Sequence, residues 1–233
     1  IELELARPMD FASEDILIGL DTYDRDLGQF AWPHGGRVPS GLEFLLRISD
    51  ADTAELLVIP SYNQYASRFA SSRREDGKFE RLSLLVNGAV ITQDNRFIPE
   101  KRFDASALRK GKFDEAGNLW NVADGKIRLR LPWTLINVSD PSSLQVLHDT
   151  RTGYYNPERD GLSTRKTDGV LAYATVWNQA TAKSAGSARS DPASAYVWKG
   201  WEEAPPYRER YKKSYFILKE AWKAEAEADE IFR

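Results

Sequence analysis

The chain has 233 residues, 42% of them apolar and 12% aromatic, with 32 basic against 35 acidic side chains and a net charge of -3. That is enough chain to bury a sizeable core, and the composition excludes a disordered polymer. The near-balanced charge excludes a global basic field for nucleic acid, and the absence of cysteine excludes disulfides, thiolate nucleophiles and cysteine-ligated zinc.

In chain order, "IELELA" (1–6) already alternates like a strand, and a chain that starts inside a strand without Met reads as a fragment of a longer polypeptide. Further strands are expected at "DILIGLDTY" (15–23), "LEFLLRI" (42–48), "AELLVIP" (54–60), "RLSLLVNG" (81–88), "KIRLRLP" (126–132) and "GVLAYATVW" (169–177). Turn signals separate them, among them "DRDLG" (24–28) and the long "PHGGRVPSG" (33–41). Many strands, irregular loops and no crossover helices predict an all-β fold, an antiparallel β-sandwich of jelly-roll type over residues 1–206.

Two segments depart from this pattern. Residues 178–194, "NQATAKSAGSARSDPAS", are small and polar, as in a flexible loop. Residues 207–233 read as a C-terminal helix, with Tyr211, Tyr215, Leu218 and Trp222 on one stripe, expected to pack on the sandwich or on an upstream domain. No apolar run approaches the roughly 18 residues of a membrane span, and no internal repeat is visible.

Four sets of side chains carry candidate chemistry. Asp21, Asp24 and Asp26 in "DTYDRDLG" offer hard oxygen ligands for calcium, or else Asx-type bonds within a turn. Aromatic residues offer faces on which sugar rings stack: Trp32 in the Pro/Gly-rich loop, Tyr154, Trp177, and Trp198 and Trp201 around a glycine. Burial in the core is the other reading of each. The basic group Arg68, Arg73, Arg74, Lys78 and Arg81 could meet an anionic polymer such as an acidic polysaccharide, or, interleaved with acids as it is, form an ordinary solvated loop. With only His34 and His148, few general-base schemes are open, and His148-Asp149 reads as a base or as a turn. No nucleophile or phosphate-binding motif stands out, which leaves no catalytic residue to name.

The strand "ADGKIRLRLPWTLINVSDPSS", with Leu129, Leu131, Pro132, Trp133 and Leu135, and the strand-turn "DILIGLDTYDRDLGQF" resemble family 9 carbohydrate-binding modules and related DOMON-like sandwiches. The pattern is also similar to the C-terminal region of large, mostly uncharacterised bacterial extracytoplasmic proteins, through Asn137, Asp140, Pro141, Ser142 and the helix from Tyr207 to Tyr215. In that reading Pro132 ends a strand and Trp133 plugs one end of the sandwich. The resemblance implies an extracytoplasmic, non-catalytic module binding polysaccharide, with structural calcium at Asp21 and its turn. The alternatives are a structural domain packed against the upstream part of its own chain, or an accessory region of a glycoside hydrolase. A monomer is expected, with no nucleic-acid partner.

Overall fold

The run from Glu14 to Asp21 is buried along its whole length, so it forms a strand covered on both faces and the centre of the sheet built around it. A computed structural model describes residues 1–63, 72–148, 163–189, 195–201 and 212–231. The structure is mostly β, with antiparallel sheets arranged as in a sandwich and one helix at the C-terminus.

In chain order the strands are β1 (Glu2–Glu4), β2 (Glu14–Asp21), β3 (Gly28–Ala31), β4 (Arg37–Leu42), β5 (Phe44–Ile48), β6 (Ala54–Val58), β7 (Arg73–Arg74), β8 (Glu80–Arg81), β9 (Ser83–Asn87) and β10 (Val90–Ile91). They continue with β11 (Phe97–Ile98), β12 (Lys101–Asp104), β13 (Ala107–Leu108), β14 (Trp120–Ala123), β15 (Lys126–Leu129), β16 (Val138–Asp140), β17 (Gln145–Leu147), β18 (Thr164–Lys166), β19 (Leu171–Asn178) and β20 (Lys183–Arg189). The main sheet has seven antiparallel strands in the order β13-β6-β5-β2-β19-β20, with β8 beside β6. Two three-stranded sheets, β1-β15-β14 and β16-β17-β18, supply the opposing layer. A third, β4-β3-β7, and the ribbons β9–β12 and β10–β11 lie outside these layers.

Strand periodicity assigns the two faces of the main sheet. Ile16, Ile18, Leu20, Phe44, Leu46 and Leu56 point into the large core, which Trp120, Ile127, Val138 and Val146 close from the opposing sheets. The odd-numbered neighbours Leu17, Leu45, Tyr173 and Trp177 point the other way, where Val38 and Leu42 of the β3–β4 hairpin cover part of the face. This second face carries the candidate site.

All seven strands expected from the pattern are present. Two loops are corrected. Arg37–Leu42, which takes up the second half of the expected turn 33–41, is strand β4, and Lys183–Arg189 within the expected flexible loop 178–194 is edge strand β20. Residues 190–194 lie outside the described residues. Trp133 does not continue a strand: it opens a short 3-10 turn, Trp133–Ile136, which Asn137 ends in the left-handed region at φ 59°.

The chain divides into two units, Ile1–Gly200 and Trp201–Arg233. In the second, helix α1 (Lys213–Ile231) takes the place of the helix expected from residue 207, and residues 202–211 lie outside the described residues. Its side chains over 214–223 are exposed, including Tyr215, Leu218 and Trp222. Among the described residues no helix is long and apolar enough to cross a membrane.

Candidate functional site

The segment Trp32-Pro33-His34-Gly35-Gly36 forms the tip of the β3–β4 hairpin. Gly35 and Gly36 have φ of +93° and +89°, which a side chain would resist, and the turn closes through Gly35 N–H to Trp32 O and Trp32 N–H to Gly36 O. The tip leans over the second face of the main sheet. Between it and the strands β19 and β20 lies an open groove of about 510 Å3, lined by Trp32, His34, Val38, Trp177, Ser184 and Ser187 among others. A neighbouring hollow of about 390 Å3 shares His34 and continues past Leu45, Arg47 and Lys78.

Trp32 and Trp177, two residues singled out from the sequence, therefore meet in one groove, both partly exposed. The His34 imidazole lies on the Trp177 ring, 4.9 Å between centroids and 14° from parallel. Partial burial lowers the His34 pKa from its ordinary 6.5, with Asp15 opposing. Among the residues lining the groove, the Thr175 and Ser184 hydroxyls are 2.8 Å apart, and the buried Tyr173 hydroxyl meets that of Ser40 at 2.9 Å.

The other aromatic candidates are elsewhere. Trp198 is corrected from a ligand platform to a core residue: it is 8% exposed, its Nε1 donates to Pro141 O at 2.7 Å, and it packs on Trp133. Trp201 belongs to the second unit and is 48% exposed. Tyr154 lies outside the described residues.

The three aspartates do not converge. Asp21 is fully buried and accepts from Arg25 Nη1 at 2.6 Å. Asp24 accepts the Asp26 N–H at 3.0 Å, an Asx turn, and Arg165 Nη1 at 3.0 Å, while Asp26 is exposed. Among the described residues no group of three or more acidic or histidine side chains could hold a metal ion. The basic residues are likewise engaged: Arg73 with Glu75, Arg74 with Asp76, and Arg81 with Asp104 and Glu55. Arg68 lies outside the described residues. The His148 Nδ1 is 2.7 Å from the Tyr23 hydroxyl, and its neighbour Asp149 is outside the described residues.

One cluster escaped sequence reasoning. Glu43, in the apolar run "LEFLL", is fully buried beside Asp21. Its Oε2 accepts the backbone N–H groups of Thr22 and Tyr23 at 2.7 and 3.1 Å, while Oε1 has no hydrogen-bond partner among the described residues. Burial pushes the Glu43 carboxyl well above its usual range, and the Asp21 charge adds to it. Asp21 is itself raised, by burial first, with Ser40 and Arg25 opposing. A single acid inside an apolar run was the available signal. No family model, curated protein or solved structure matches this chain.

Proposed function

We propose that the unit Ile1–Gly200 is a non-catalytic, carbohydrate-binding module of jelly-roll type, part of a larger secreted or cell-surface protein that it holds near polysaccharide. The observation that carries this reading is the meeting of Trp32, His34 and Trp177 in one open groove beside the hydroxyls of Ser184 and Ser187. Sugar rings bury C–H faces on aromatic rings and satisfy their hydroxyls with small polar groups at the edge, so this mixture of surfaces suits them. Calcium is not part of the proposal, because Asp21 and Asp24 are already occupied by Arg25 and Arg165.

A second reading, a structural domain that packs on another part of its own chain, is favoured by His34, which covers one face of Trp177. Affinity electrophoresis of the folded chain through gels containing soluble polysaccharides separates the two. Retardation that is lost in Trp32→Ala and in Trp177→Ala, with unchanged circular dichroism, supports sugar binding. Free migration of the folded wild type in every polysaccharide tested leaves the structural reading.

A further inference from the structure

Eight of the twelve exposed large apolar residues described in the unit Ile1–Gly200 fall between Leu84 and Phe103. They sit on the ribbon formed by β9 with β12 and, further out, β10 with β11. Ile91 is 70% exposed, Phe97 67% and Phe103 59%. The register places Val90 opposite Ile98 and Ile91 opposite Phe97. Successive cross-strand pairs point to opposite faces, so the ribbon is apolar on both. A two-stranded ribbon is marginal by itself in water and cannot bury two faces on itself.

Charge and area say what covers it. Residues 83–104 hold three basic and three acidic side chains. Most are paired within or beside the ribbon: Arg96 with Asp94 at 2.8 Å, Arg102 with Glu100, and Asp104 with Arg81 at 2.6 Å. No net field remains to draw an anionic membrane or a charged partner. A neutral apolar surface of this kind can meet its own copy across a two-fold axis without like-charge repulsion. Exposures of 37 to 70% on eight side chains leave on the order of 800 Å2 open per copy over the two faces. A partner ribbon laid on one face therefore takes roughly 400 Å2 from each copy, the low end of interface sizes and suited to a weak, concentration-dependent dimer.

We propose that the ribbon 83–104 is the interface of a symmetric homodimer, covered by the same ribbon of a second copy. This is independent of what the groove binds. Light scattering on a sizing column with the whole chain at about 100 µM tests it, a concentration at which micromolar association is populated. The wild type is expected at twice the monomer mass. The double variant Ile91→Asp/Phe97→Asp is expected at the monomer mass with unchanged circular dichroism, and its urea midpoint should match that of the wild type diluted to where the wild type is monomeric. A nitroxide on Thr92→Cys, the only thiol in that chain, should report an intermolecular distance that the double variant abolishes. A monomeric wild type overturns the proposal, whether or not it floats with phosphatidylcholine vesicles. So does a dimer that survives the double variant and dissociates with Ile217→Asp/Trp222→Asp in α1.

Discussion

The indole rings of Trp133 and Trp198 pack on one another with centroids 4.4 Å apart and planes tilted by 37°. Trp198 is the deeper of the two and is pinned by its bond to Pro141 O, while Trp133 stays partly exposed. The end of the core is thus closed by two tryptophans, and the one in the recognisable Pro-Trp motif is the outer. Trp198→Ala is expected to cost about 3–5 kcal/mol, the range for a buried large aromatic. Trp133→Ala should cost less, and the double variant less than the sum, because each ring is the other's partner. Urea denaturation at fixed slope measures all three.

The buried carboxyls make stability depend on pH in an unusual direction. The folded-state pKa values of Glu43 and Asp21 are both raised. Their contribution is therefore complete below the ordinary carboxylate pKa near 4 and is lost as pH rises through the folded values. Glu43→Gln keeps an oxygen for the Thr22 and Tyr23 N–H groups and removes the charge facing Asp21. The variant should match the wild type in weak acid and gain on it as pH rises toward 8. Unfolding midpoints across pH 4 to 8 check this; parallel curves would show that the pair does not titrate there.

Gly41 sets where the hairpin carrying the groove residues sits. A Cβ at this position would lie 1.3 Å from Leu27 O, backbone that cannot rotate away. Gly41→Ala is expected to destabilise by at least the roughly 1–3 kcal/mol typical of overpacking, and to displace Trp32 and His34. Gly35 differs: a Cβ there meets nothing within 4 Å, and only its φ of +93° resists. Gly35→Ala should cost about 1–2 kcal/mol, the left-handed penalty. Thermal unfolding ranks the two.

What could be read in advance follows from how local each cause is. Strand β2 is legible because eight consecutive residues carry their own signature. Strand β20 is not: "KSAGSAR" has no apolar alternation, and it is a strand because β19, already in the sheet, offers it an open edge. Trp32 and Trp177 are far apart in the chain, and only the hairpin tip folding over the sheet brings them together. Trp198 follows a polar stretch and reads as exposed; its partner, the carbonyl of Pro141, is 57 residues away. The Asp21-Asp24-Asp26 spacing suggested one donor set, yet Arg165, 141 residues from Asp24, takes one member out of it.

The stacked pair in the groove supplies its own titration. His34 lies on Trp177, and burial there disfavours the imidazolium, with the Arg47 charge acting in the same sense and Asp15 against it. A lowered folded-state pKa means that this contribution to stability is present above the ordinary value of 6.5 and lost as pH falls through the folded value. The chain has two histidines, so the imidazole resonance that disappears in His34→Gln is assigned without ambiguity. Its midpoint is expected below 6.5, and the Trp177 indole N–H resonance should move with the same midpoint as the ring above it gains charge. Trp177→Ala opens His34 to water and should return the midpoint toward 6.5. A midpoint already at 6.5 in the wild type would mean that the imidazole does not rest on Trp177 in solution, and would open the face of that ring that His34 otherwise covers.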